Sequence, residues 1–156
     1  MLRLLSILLS ASDMLLSGQL MAREVSGVVV GVHDGDSLTL LTAKRDQIKI
    51  RLQGIDAPEL NQAFGTKAKT SLSDLVFGKS VRLVETGRDR YGRTLGDVYV
   101  SEVWVNLAVI ERGMAWFFVK YSKDERLRNA EAKARKSRAG LWQQPSPVPP
   151  WEWRKK

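Results

Sequence analysis

Apolar and polar residues alternate with a period of two along three early stretches of the chain, and that period predicts the first elements. From Glu24 to Val32 the sequence is β-branched and punctuated by glycine, with Val28, Val30 and Val32 in alternation, which predicts a strand. Asp34-Gly35 then reads as a hairpin turn. Leu38 and Leu40 flank Thr39 in a second strand, and Ile48, Ile50 and Leu52 alternate with Lys49, Arg51 and Gln53 in a third. If the isoleucine face of that third strand looks into a core, Arg51 looks out of it, toward any ligand lying on the sheet.

The period then changes. Ala68, Leu72, Leu75 and Val76 fall at helical spacing, and Gly78 stops the run. Val81 and Leu83 mark a fourth strand, and Leu95 to Val100 a fifth. Val105 to Arg112 is a short apolar helix closed by Gly113. Asp124 to Arg138 is a third helix, with Leu127, Ala130 and Ala134 inward and Gly140 as its end. Acid-to-base pairs Asp124–Arg128 and Glu131–Arg135 are expected on its surface. Five short strands with interposed helices predict an α+β, mainly β domain, a five-stranded OB-fold barrel with three helices. It would span residues 23–142. Pro145 to Pro150 cannot be helix or inner strand, so residues 143–156 are expected to be a flexible, Pro-rich basic tail.

Composition narrows the chemistry. With 156 residues the chain is long enough for one cored domain and too short for two. A net charge of +8 points to a polyanionic partner, nucleic acid or an anionic membrane. There is no cysteine and one histidine, His33, so thiolate metal sites, disulfides and polyhistidine centres are excluded. Any metal site must use oxygen, which leaves calcium, magnesium or manganese. At the start of the chain, Arg3, the apolar run Leu4–Leu9 and small residues up to Ala22 resemble a secretory leader, so residues 1–22 are expected to be a signal peptide removed on export to the periplasm or medium. Without cleavage the protein would be cytoplasmic.

Three segments that carry acids and arginines stand at the ends of predicted strands. Asp34-Gly35-Asp36-Ser37 precedes the second strand, and Arg51…Asp56-Ala57-Pro58-Glu59 follows the third. Asp89-Arg90-Tyr91-Gly92-Arg93 fills the loop between the fourth and fifth. Carboxylate oxygens suit a hard cation, and arginine forks suit phosphate. Together they describe chemistry on phosphodiester bonds. Asp34 reads as a turn residue, while Asp36 and Asp56 are the candidate metal ligands. Pro58 holds Ala57 extended, so the Ala57 carbonyl could face the same cation. Arg51 and Arg93 are candidate phosphate clamps.

These three segments, in this order, resemble the signature segments of the micrococcal (staphylococcal) nuclease family. The similarity runs on through Val105-Asn106-Leu107-Ala108, Gly113-Met114-Ala115 and Gly140-Leu141-Trp142. The resemblance implies the OB barrel, and calcium-dependent, sugar-nonspecific endonuclease cleavage of DNA and RNA to 5′-hydroxyl and 3′-phosphate ends. It implies calcium ligation by Asp36, Asp56 and the Ala57 carbonyl, and catalysis by Arg51, Glu59 and Arg93. Arg90 and Tyr91 match positions that contact a nucleotide phosphate, and Tyr121 is the candidate for stacking on a base, although Val119 falls at the simplest alignment. Ala57 and Ser37 stand where the family archetype has threonine. The expected partner is DNA or RNA that is single-stranded or locally open, with the protein a monomer and no membrane partner. The alternative is a noncatalytic OB module that binds single strands. Trp104, Trp116 and Trp142 are expected in or at the edge of the core, and Trp151 and Trp153 in the tail. Lys133, Arg135, Lys136 and Arg138 make a basic helix face that could follow a nucleic-acid backbone.

Overall fold

The computed structural model describes residues 22–156; the expected leader, residues 1–22, lies outside them except for its last residue. The strands β1 (Glu24–Val32), β2 (Ser37–Thr42), β3 (Gln47–Leu52), β5 (Ser80–Arg88) and β6 (Thr94–Val100) are hydrogen-bonded in the order β3-β2-β1-β5-β6. A parallel pairing of β3 with β6, Ile50 opposite Thr94 and Leu52 opposite Gly96, closes them into a barrel. The expected OB barrel is borne out. Three further strands of two residues each are too short to show a period: β4 (Ile55–Asp56), β7 (Val103–Trp104) and β8 (Trp116–Phe117). β4 and β8 pair outside the barrel, with Ile55 opposite Phe117 and Asp56 opposite Trp116.

The barrel is filled by the faces that the alternation marked. Leu38, Leu40, Ile50, Leu52, Leu83 and Val98 are all at or below 1% exposure. β1 departs from the expectation. Val29 is buried while Val28 and Val30 face solvent at 39% and 41%, but a bulge between Val29 and Gly31 shifts the register against β2, and Val32 packs against the core instead of sharing the Val28–Val30 face. An extra residue in one strand reverses which side chains point inward beyond it.

Three helices cover the barrel: α1 (Gly65–Val76), α2 (Val105–Glu111) and α3 (Glu125–Lys136). α1 buries Ala68, Leu72 and Val76, and α3 buries Leu127, Ala130 and Ala134, as their spacing required. Asn106 of α2 is fully buried. Its amide donates to the carbonyls of Gln53 and Gly96 and accepts from Val98 N–H, which ties β3 and β6 together immediately before β4. Asp124 caps α3 instead of pairing with Arg128: its carboxylate accepts the Arg126 N–H at 2.8 Å and binds the Arg126 guanidinium, leaving Arg128 to pair with Glu125. Glu131–Arg135 forms as expected. α3 ends at Lys136, and Arg138, with φ 56°, makes the left-handed turn before Gly140 is reached.

Residues 143–156 do not trail away as the sequence reading expected. A 3₁₀ turn (Gly140–Gln143) leads through the prolines into a one-turn helix, α4 (Pro150–Trp153), which lies back on the domain. Trp116, Trp142, Leu141 and Ala134 form a small second core, with Trp151 and Phe64 packed on it. Large aromatic surfaces are costly to leave in water, and the tail carries two indoles that find partners.

Candidate active site

The site is assembled where β2, β3 and β4 meet α1. Asp34 makes the turn: its Oδ1 accepts the Asp36 N–H at 2.9 Å and the Ser37 hydroxyl at 2.8 Å. That turn swings Asp36 inward. Gly35 is required beside it, because a Cβ there would come within 2.6 Å of the Ala68 side chain and 2.7 Å of that of Ala57. Gly54, with φ +77°, reverses the chain after β3 and brings Ile55-Asp56 back across the barrel end.

Asp36, Arg51 and Asp56 form one buried cluster. The Arg51 guanidinium donates to Asp56 Oδ1 at 2.9 Å and to the Ile55 carbonyl at 3.2 Å, and lies 3.3 Å from Asp36 Oδ2. Asp36 Oδ2 also accepts the Ala57 N–H at 2.7 Å. The Asp56 side chain is 1% exposed and that of Arg51 14%. Burial pushes the Asp36 carboxyl up to about 7, against the pull of Arg51, with Asp34 and Asp56 adding to the rise. Burial works against the Arg51 charge, but Asp36 and Asp56 outweigh it and hold the guanidinium above its ordinary range.

These residues fit a hard divalent cation. Two carboxylates stand together in a dry place where a nearby positive charge would favour ionising the Asp36 carboxyl, and every donor is oxygen. Among the described residues no group of three or more acids or histidines gathers at metal-holding spacing. A cation here would therefore rest on two side chains plus backbone oxygen and water.

Glu59 stands at the rim, its side chain 37% exposed. Its backbone is fixed by reciprocal bonds with Gln62, whose Oε1 accepts the Glu59 N–H while its own N–H donates to the Glu59 carbonyl. Arg93 does not join the cluster. Its Nε donates to Asp89 Oδ2 at 2.7 Å and its backbone N–H to Asp89 Oδ1 at 3.0 Å. Burial opposes the Asp89 charge, yet these bonds and the Tyr91 N–H hold its carboxyl below the usual range. Asp89 thus sets the Arg90–Arg93 loop at the barrel end beside β3. Tyr91 is exposed, its hydroxyl accepting from Arg90, with the Arg90 and Arg93 guanidinium groups 4.8 and 5.7 Å from its ring centroid. Tyr121 is exposed as well, edge-on to Phe118 at 4.7 Å, and Val119 is exposed beside it.

One participant escaped the sequence reading. Arg154, in the last turn of the chain, donates to Asp56 Oδ1 at 3.1 Å, Asp56 Oδ2 at 2.8 Å and Glu59 Oε1 at 2.7 Å. The only hint was the pair of tail tryptophans beside it, which a flexible segment would have no reason to keep. The basic face of α3 also divides. Arg135 pairs with Glu131 and lies 4.0 Å over the Trp142 ring and 4.9 Å over Trp116, so, although its side chain stays half in solvent, it lies over the second core.

A family model described as staphylococcal nuclease homologue matches residues 49–144. An endonuclease of Haemophilus influenzae, described as uncharacterized, is 47% identical over 127 residues, covering 81% of this chain and 71% of that protein. A micrococcal nuclease of Shigella flexneri is 41% identical, covering 83% of this chain and 80% of the relative. The ParB protein of Escherichia coli is 40% identical, with 85% and 80% covered.

Proposed function

The chain belongs to the staphylococcal nuclease family, and on that premise we propose that it is a calcium-dependent, sugar-nonspecific endonuclease leaving 5′-hydroxyl and 3′-phosphate ends. The observation that carries the reading is the buried Asp36–Arg51–Asp56 cluster with Glu59 at its rim. Carboxylates beside a polyanion weaken binding unless a cation neutralises them, so a module that only bound nucleic acid would gain nothing from them.

When bound, calcium would be held by Asp36, Asp56 and the Ala57 carbonyl, and would supply positive charge to the phosphate oxygens. Arg51 and Arg93 act on the phosphate itself. Attack by water adds negative charge to a phosphodiester, and guanidinium forks already fixed by Asp36, Asp56 and Asp89 meet that charge without reorganising. Glu59, partly in water, takes a proton from the attacking water. The new P–O bond forms as the bond to the 5′ oxygen breaks, and that oxygen takes a proton from a solvent water to leave as the 5′-hydroxyl, the hydroxide so formed being neutralised by the proton that Glu59 returns to solvent. Arg90 and Tyr91 would contact a neighbouring phosphate, and Tyr121 with Phe118 offers an aromatic surface to a base of a single strand.

The test is incubation of the purified protein with plasmid, single-stranded DNA and RNA in calcium, in magnesium and in chelator, with the product ends analysed. Cleavage with calcium to 3′-phosphate ends is expected, lost in Asp56→Ala and slowed in Glu59→Gln more than binding is. Full cleavage in excess chelator, or a parental rate in Asp56→Ala, would overturn the mechanism.

A further inference from the structure

The C-terminal segment is attached to the site at four separate points. The Val148 carbonyl accepts from Gln62 Nε2 at 2.6 Å, and Gln62 is the residue that holds Glu59. Trp151 lies flat on Phe118, ring centroids 5.2 Å apart and planes 4° from parallel, with its edge toward Trp116 at 5.6 Å. The Trp153 indole N–H reaches Asn61 Oδ1 at 3.2 Å. Arg154 then forks both oxygens of Asp56 and touches Glu59. Three of these contacts sit on the Glu59–Gln62 loop or the acids themselves, and the fourth on the aromatic surface beside Tyr121.

The chemistry of the segment copies what the site would otherwise receive. A guanidinium is a cation set on the carboxylate proposed to ligate calcium, and an indole stacked on phenylalanine occupies the surface proposed for a base. Asp56 Oδ1 accepts from both Arg51 and Arg154 and Oδ2 accepts from Arg154, so a cation approaching either oxygen meets a guanidinium already there. Arg154 itself is 41% exposed at its side chain, whereas Asp56 is 1% exposed. The arginine therefore reaches a fixed acid from the solvent side.

We propose that residues 148–154 form an intramolecular strap that competes with the divalent cation and the substrate strand for Asp56, Glu59 and the Phe118 surface. The proposal rests on the nuclease reading above for the identity of the competing ligands. A tethered competitor acts at high effective concentration without any partner. Cation and substrate bind only the strap-open fraction, and a strap closed about nine-tenths of the time weakens apparent affinity about tenfold. Once calcium and a nucleic-acid strand are both present, their joint contacts displace it.

The test uses the full chain and two variants, Arg154→Gln and Trp151→Ala, the first removing the cation mimic and the second the indole. Calcium affinity is measured by calorimetry, and hydrogen exchange is followed over residues 145–156 with and without calcium. Arg154→Gln is expected to bind calcium about tenfold more tightly, Trp151→Ala to shift the same way, and calcium to speed exchange of the strap amides in the parent chain. Equal affinities in parent and Arg154→Gln, or weaker affinity in the variant, overturn the strap while leaving a chain that still cleaves with calcium. A chain that neither binds calcium nor cleaves with it overturns the strap and the nuclease reading together.

Discussion

Asp36 accepts the backbone N–H of Ala57 across a buried 2.7 Å bond, joining the β1–β2 turn to the end of β4. This bond fixes the separation of the two candidate metal carboxylates, because Asp56 is the residue before Ala57. Burial of the Asp36 carboxyl raises its pKa from 3.8 to about 7, while Arg51 and the Ala57 N–H, which favour the charged form, pull it back down.

A pH dependence follows. The folded protein holds the Asp36 proton more tightly than the unfolded chain does, so this group favours folding at low pH and the contribution is lost as pH rises from 3.8 to about 7. In chelator, the melting temperature of the parent should fall across that window relative to Asp36→Asn, which cannot titrate. Added calcium should reverse the fall above pH 7 in the parent and leave Asp36→Asn nearly unchanged. Parallel melting curves for the two proteins would contradict the burial argument.

Arg51→Lys and Arg93→Lys should fail in different ways. A compact ammonium cannot reproduce the planar fork that spans Asp36, Asp56 and the Ile55 carbonyl, so Arg51→Lys should lower turnover on the order of a hundredfold or more and also destabilise the fold. Arg93 contacts only its own loop through Asp89, so Arg93→Lys should lower turnover on a similar scale, about a hundredfold, with little change in melting temperature. Single-turnover rates and thermal melts separate the two. A parental rate in Arg93→Lys would make Arg93 a surface charge.

On α3, neighbouring basic residues should separate by role. Lys133→Ala should leave stability unchanged and reduce the salt dependence of single-strand binding by about 0.7 in logarithmic slope if Lys133 meets a phosphate. Arg135→Ala removes the cation resting on Trp142 and Trp116 and, with that side chain half in solvent, should cost about 0.5–1 kcal/mol of stability. Denaturant titration and affinities at several salt concentrations test both. An Arg135→Ala protein as stable as the parent would return Arg135 to the solvated face.

Export remains a proposal carried by sequence alone. The basic, apolar and small-residue order of residues 1–22 predicts cleavage after Ala22. N-terminal sequencing of the protein from its native host should begin at Arg23. A cytoplasmic product that retains residues 1–22 would rule export out.

Local rules were enough for much of the fold and for the acids and arginines of the site. Alternation placed Ile50 and Leu52 in the barrel and so turned Arg51 outward; turn chemistry made Asp34 the hinge that delivers Asp36; helical spacing chose Leu127, Ala130 and Ala134. Each is decided within a few residues, where backbone geometry leaves little choice. The bulge in β1 was not legible, because the pairing partner in β2 decides it. Nor was the capture of Asp124 by its own helix N-terminus, where capping and Arg126 compete with the expected pair to Arg128.

The end of the chain belongs to tertiary structure alone. Proline and basic residues in residues 143–156 carry no period, and local rules describe them as a tail. Arg154 meets Asp56 and Glu59, and Trp151 meets Phe118, only because the barrel brings positions far apart in sequence onto one face. The sequence by itself determined which residues could hold a cation and a phosphate. Folding decided that an arginine of the same chain lies on those carboxylates, since docking depends on the shape and charge of a surface that exists only once the barrel has closed.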